Sequence, residues 1–369
     1  MKRSNAGHFI LPSTQSRVKA IDAFYENSDE VETGLLHFQD GWVPIINGVP
    51  IFVDADIGDF ALRYGLNETT RVILSTSADQ HETSKTFSDK WSRFKSYGFL
   101  DSHREFLFEW YAKKLGLAGL GELENFYQTK SRILEVGPGS GFNTRFMAEV
   151  SIGTVVSLDV SSAARTVWEN TRDLPNCTVV QADLMFAPLP DAYFDFIIAD
   201  GVLHHTPDTR AALAALYAKL APGGQFFFYI YKKMGAVRQF ADATIREKFV
   251  KMSPEDCYKA CEALTDLGRE LSRLDVRITL EKPIPILGIP AGEHDVQRLI
   301  YYNFVKCFWN DAFDYETNNM VNFDWYHPHN AWQHTPEDVE DWLRELGATE
   351  WKLNNANPNG ISVLMTKPY

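Results

Sequence analysis

Arg132-Ile133-Leu134-Glu135-Val136-Gly137-Pro138-Gly139-Ser140-Gly141-Phe142 is the stretch on which the fold turns. Ile133, Leu134 and Val136 read as a short buried strand, and the chain then runs into three glycines and a helical pattern over 142–149. Glycines at that point let the backbone turn tightly and approach a ligand closely. Working outward, apolar runs at 154–159, 178–181, 194–199 and 225–231 alternate with helical patterns at 162–171 and 209–220. That alternation is the βαβ signature of a parallel sheet with helices on both faces, an α/β class. Pro222-Gly223-Gly224 is expected to close the helix over 209–220.

The glycine spacing separates two ligands. A dinucleotide site wants G-x-G-x-x-G, whose third glycine falls on Phe142; here the pattern is Gly137-x-Gly139-x-Gly141, with Glu135 two residues before it. S-adenosylmethionine brings no pyrophosphate to seat on the helix N-terminus. It brings an ammonium and a carboxylate, which suit a strand-end acid and open backbone amides. Asp159 ends the second strand, where a carboxylate accepts from both ribose hydroxyls; the same position serves a nicotinamide cofactor and does not discriminate. Asp183 and Leu184 follow the third strand, an acid for the adenine amino group and an apolar side chain for its ring. Asp200 ends the fourth as a further cofactor-binding candidate, ahead of Gly201-Val202-Leu203-His204-His205. Ligands of open α/β sheets lie beyond these strand ends. His204 and His205 are therefore the candidate general bases, since imidazole is neutral near pH 7.

Together, Leu134–Gly141, Asp159, Asp183, Phe194-Asp195, Val202–His205 and Leu220–Gly224 resemble the class I, Rossmann-like S-adenosylmethionine-dependent methyltransferases, on the small-molecule branch. The resemblance covers about 130–231 and the tail from about 335. It implies that Glu135, Gly137, Gly139 and Gly141 meet the methionine end of S-adenosylmethionine, Asp159 the ribose, and Asp183 with Leu184 the adenine. The acceptor it implies is a small molecule: a secondary metabolite, a quinone-like compound or a sugar. A fainter likeness joins the Ile46–Ile51 hairpin to the zinc-ribbon module fused to some methyltransferases. No cysteine precedes Cys177, so no Cys-based zinc site is expected there, and no metal elsewhere.

The chain divides into a small β module over 1–60, a linker and helical cap over 61–130, the cofactor-binding core over 131–231, a helical lid over 232–333, and a closing helix and strands over 334–369. Asn47-Gly48 between two β-rich runs marks a tight hairpin. Residues 1–30 are mixed and polar, and 56–85 read as a linker with Ser-Thr-Ser and Glu-Thr-Ser clusters. In the lid, Ser253-Pro254 opens a helix whose apolar face runs from Cys257 and Cys261 through Leu264, Leu267, Leu271 and Leu274. Residues 293–313 read as another helix, Thr335-Pro336 opens a third, and strands follow near 350–354 and 361–366. Tyr231, Tyr326 and His327 are the candidate acceptor-binding residues.

A formal net charge of -13 with no basic run disfavours nucleic acid and anionic membrane surfaces, because phosphate binding rests on Lys and Arg. No run reaches the ~20 apolar residues of a membrane span. Four cysteines without a CxxC pair suit a reducing, cytoplasmic compartment. An RNA methyltransferase, a nicotinamide-dependent oxidoreductase and a binding protein without catalysis stand as the alternatives.

Overall fold

A computed structural model describes residues 1–74, 77–99 and 101–369; Ser75 and Thr76 of the Ser-Thr-Ser cluster lie outside the described residues. The N-terminal module is a four-stranded antiparallel sheet of β1 (Ala20–Asn27), β2 (Glu30–His37), β3 (Trp42–Ile46) and β4 (Val49–Pro50). Asn47 and Gly48, at φ 50° and 72°, make the tight β3–β4 turn. Strand β1, within the stretch read only as mixed and polar, carries mostly exposed residues, so its alternation is faint. The module leans on the edge of the main sheet, where Phe52 N–H donates to Gln181 O at 2.9 Å. An exposed sheet edge is thereby covered.

The stretch read as a linker instead carries α1 (Gly58–Tyr64) and the start of α2 (Ala78–Arg93). The buried face of α2 is polar: Gln80, Thr83, Thr86 and Lys90 recur at helical spacing. An apolar stripe is the usual helix signal, and α2 has none. Helices α3 (Asp101–Leu115) and α4 (Leu120–Gln128) follow.

The core then alternates β5 (Arg132–Val136), α5 (Phe142–Val150), β6 (Thr154–Asp159), α6 (Ala163–Thr171), β7 (Cys177–Gln181), β8 (Phe194–Asp200), α7 (Thr209–Lys219) and β9 (Leu220–Tyr231). The lid comprises α8 (Ala236–Phe249), α9 (Pro254–Arg273), the hairpin β10 (Arg277–Leu280) and β11 (Gly292–Asp295), α10 (Val296–Asn303) and α11 (Tyr315–Tyr326). Helix α12 (Pro336–Glu345), β12 (Glu350–Asn354) and β13 (Gly360–Thr366) end the chain. Strand order is β12-β13-β9-β8-β5-β6-β7, parallel from β9 to β7, with β13 and β12 antiparallel. The chain reverses direction across the sheet between β5 and β8, which opens a crevice at their C-terminal ends.

Alternation along β5 sends Leu134 and Val136 to one face, shared with α7, α12 and the N-terminal sheet. Ile133 faces the other, shared with α3, α4, α5, α9 and α11. Three elements depart from expectation. Pro222-Gly223-Gly224 lies inside β9 rather than ending α7; Gly223 sits at φ 73° beside a register shift against β8. The stretch 293–313 splits into β11, α10 and an irregular segment, because aromatic content alone carries no periodicity. The buried face of α9 runs Cys257, Cys261, Thr265 and Gly268, leaving Leu267 and Leu274 exposed. Gly268 replaces an apolar side chain there because its Cα lies against the Cys307 carbonyl.

Candidate functional site

The crevice opens into one cavity of about 570 Å³ between the C-terminal ends of the strands and the helices α2, α3, α10 and α11. Its floor is the glycine turn. Gly137 and Gly139 hold φ of 62° and 63°, a left-handed backbone that side chains rarely adopt. A Cβ on Gly139 would lie 2.7 Å from the Trp91 ring, and one on Gly137 would strike Val202. Both glycines line the cavity, while Gly141 packs against Val167 outside it. Phe142, at the position a dinucleotide site gives to glycine, fills its space against the rings of Phe108 and Tyr111.

Asp159 and Asp183 form the next wall. Asp159 Oδ1 accepts from Ser161 N–H and Oγ–H at 2.8 and 2.7 Å. Asp183 Oδ1 accepts from Met185 N–H at 2.9 Å. Among the described residues, each leaves its second oxygen without a hydrogen-bond donor. Burial pushes both carboxyls up to about 6, against the donors just named. Leu184 lines the same wall. Asp200 is there too, but Lys114 of α3 covers it at 2.6 and 2.8 Å, with the ammonium 3.4 Å above the Trp110 ring and 4.2 Å from that of Tyr229. Burial lowers the Lys114 pKa, opposed by Asp200.

Glu135 does not reach the cavity. Its carboxylate accepts from Asn143 Nδ2 at 2.8 Å and from the Thr144 hydroxyl, both on α5. Burial pushes its pKa up to about 7. The expectation that it meets the ligand is therefore corrected: β5 alternation turns it onto the α5 face, where it ties the helix to the glycine turn.

The histidine pair separates likewise. His205 lines the cavity; its Nδ1 bonds Asn330 O at 2.7 Å, and among the described residues Nε2 has no protein partner. Burial pushes its pKa down to about 4, partly offset by Asp324. His204 stands behind it, its ring tilted against that of Tyr231 with centroids 3.7 Å apart and both ring nitrogens buried and unpartnered among the described residues. It does not line the cavity, and His205 is the histidine of the pair that does.

Tyr231 lines the cavity as expected, but Tyr326 and His327 do not. The Tyr326 hydroxyl donates to Lys306 O at 3.1 Å in the core, and His327 Nδ1 meets the Thr86 hydroxyl at 2.8 Å. A helix turns its side chains by about 100° per residue, and their neighbours Asp324 and Trp325 face the cavity instead. Asp324 binds Lys90 of α2 at 2.8 Å; burial alone would raise its pKa, but Lys90 and His205 outweigh it and hold it below the usual range. Sequence reasoning passed over Lys90, Trp91, Trp110 and Lys114 as cap residues. Rings and charges at roughly helical spacing over 86–116 were the signal there, but that spacing does not say which of them face a ligand.

Residues 134–228 match the family described as a methyltransferase domain. An uncharacterised methyltransferase of Mycobacterium tuberculosis is 36% identical over 95 residues, covering 25% of this chain and 46% of that one. A ubiquinone biosynthesis O-methyltransferase of Pseudomonas syringae pv. syringae is 27% identical over 142 residues, covering 37% and 56%. The chain thus spans less than two thirds of the length of these curated relatives. The solved N-methyltransferase NodS from Bradyrhizobium japonicum, in complex with S-adenosylhomocysteine, aligns with 78% of this chain and 100% of its own at 14% identity and a TM-score of 0.38. The family match covers residues 134–228, and the seven-stranded order with its antiparallel edge is that of a Rossmann-like sheet flanked by helices.

Proposed function

We propose that this chain transfers a methyl group from S-adenosylmethionine to a small-molecule acceptor held beneath the lid. The observation that carries the proposal is the pair of buried strand-end carboxylates, Asp159 and Asp183, each with an unspent oxygen on one wall of the cavity. Those acceptors fit ribose hydroxyls and an adenine amino group, and the cradle at Gly137 and Gly139 fits the methionine end. When bound, S-adenosylmethionine supplies an electrophilic methyl group. The remaining work falls to the chain. Tyr231, Trp325 and the α2 and α3 rings exclude water and orient the acceptor, and alignment of this kind contributes several kcal/mol. His205 Nε2, on the cavity wall and without a hydrogen-bond partner among the described residues, is placed to take a proton from an acidic acceptor hydroxyl.

The ubiquinone-linked relatives favour a planar, quinone-like acceptor. Calorimetric titration with S-adenosylhomocysteine and, separately, with NADH tests the cofactor reading. One tight site for the first and none for the second is expected, since Phe142 closes the approach a pyrophosphate needs. Binding of NADH alone would refute it.

A further inference from the structure

The cavity has a second end, beyond Tyr231 and Trp325, walled by α10, the segment after it and the loop before β13. Two cations stand there. Lys306 is only 5% exposed, and among the described residues its ammonium makes no hydrogen bond or ion pair. It touches ring faces only: Trp325 at 4.3 Å and Tyr301 at 5.6 Å. The Arg298 guanidinium donates once, to Trp309 O at 3.0 Å, and lies over Tyr301 and Phe308, likewise without a carboxylate partner among the described residues; the Asp295 carboxylate nearby accepts from the Arg298 backbone N–H.

The other two cavity cations are neutralised, Lys90 by Asp324 at 2.8 Å and Lys114 by Asp200 at 2.6 Å. The carboxylates whose charge reaches Lys306 are also engaged. Asp324 holds Lys90, and Asp242 holds Arg238 at 2.9 Å and the Trp325 Nε1–H at 2.8 Å. Burial pushes the Lys306 pKa down to about 7, with Arg238 adding to it. Burial disfavours the ammonium, and an anion brought between Lys306 and Arg298 would restore its charged form. In a chain of net charge -13, a local surplus of cation also draws in an anion that the rest of the surface repels.

We propose that this end of the cavity holds a carboxylate on a planar ring, so that the methyl acceptor is an aromatic acid. Lys306 and Arg298 would hold the carboxylate, and the faces of Tyr301, Phe308 and Trp325 the ring. Only the identification as acceptor rests on the methyl-transfer reading; the anion site stands on its own geometry.

The test is calorimetry on the full chain with 4-hydroxybenzoate and its neutral match, 4-hydroxybenzamide, each with and without S-adenosylhomocysteine. The acid should bind about 10- to 100-fold more tightly than the amide, the range set by charge-assisted hydrogen bonds. Lys306→Met should remove most of that preference and leave S-adenosylhomocysteine affinity within about twofold. Because it deletes a buried unpaired charge, it should unfold no earlier than the parent; Arg298→Gln gives a second, independent loss. No measurable binding of the acid at about millimolar concentration, equal binding of acid and amide, or a preference that survives both variants would overturn the proposal. Acid preference without any S-adenosylhomocysteine binding would instead overturn the methyl-transfer reading alone.

Discussion

Asp159 and Asp183 each spend one oxygen on the local turn and keep the other for the cavity. Asp159→Ala removes the acceptor for the ribose hydroxyls, and S-adenosylhomocysteine affinity should fall by about 10- to 100-fold in calorimetry. Unchanged affinity would remove Asp159 from the site. His205 carries a kinetic prediction with a definite pH sign. Only the neutral imidazole accepts a proton, and the neutral form dominates above its pKa. Burial has moved that pKa from the ordinary 6.5 to about 4. Turnover at saturation should therefore show no imidazole limb near 6.5 and lose the His205 contribution only as pH falls toward 4. His205→Gln should lower kcat by about 10²–10⁴-fold with cofactor affinity nearly unchanged. A variant with near-normal kcat would leave alignment as the main source of catalysis.

The glycine turn between β5 and α5 is the element on which the cofactor reading depends. Gly139→Ala meets both a left-handed φ of 63° and the Trp91 ring 2.7 Å away, so it forces the turn or α2 to shift. Calorimetry should show a loss of S-adenosylhomocysteine affinity of at least about tenfold, with the fold retained by circular dichroism. This turn, the five parallel strands and the strand-end acids were legible in the sequence, because buried strands and glycine spacing are local signals. The tertiary choices were not. Glu135 sits in the motif at the right position, yet strand alternation turns it to α5. Tyr326, the last residue of α11, and His327, its C-cap, turn away from the cavity, and Trp325 and Asp324 face it in their place. The first half of helix α2, within the stretch read as a linker, escaped because the helix's buried face is Gln80, Thr83, Thr86 and Lys90, chosen for partners such as His327 and Asp324 that only the fold brings near.

At the scale of the whole molecule, the proposed reading gives the sheet the cofactor wall and gives the helices packed over it the rings and cations of the acceptor end. The two functions are thereby carried by separate segments, which lets acceptor choice vary without disturbing the cradle. The N-terminal sheet stands apart from this, braced on the β7 edge by Phe52 and on α6 by Trp168 Nε1–H donating to Glu30 at 3.0 Å. A net charge of -13 and a cavity roofed by four helices suit a small acceptor over RNA. The most direct test is incubation of the protein with methyl-labelled S-adenosylmethionine, a metabolite extract and total RNA, followed by mass spectrometry of each fraction. The account predicts label in a small molecule, none in RNA, and loss of the labelled product with Asp159→Ala; label confined to RNA, or no labelled product above the protein-free control, would contradict it.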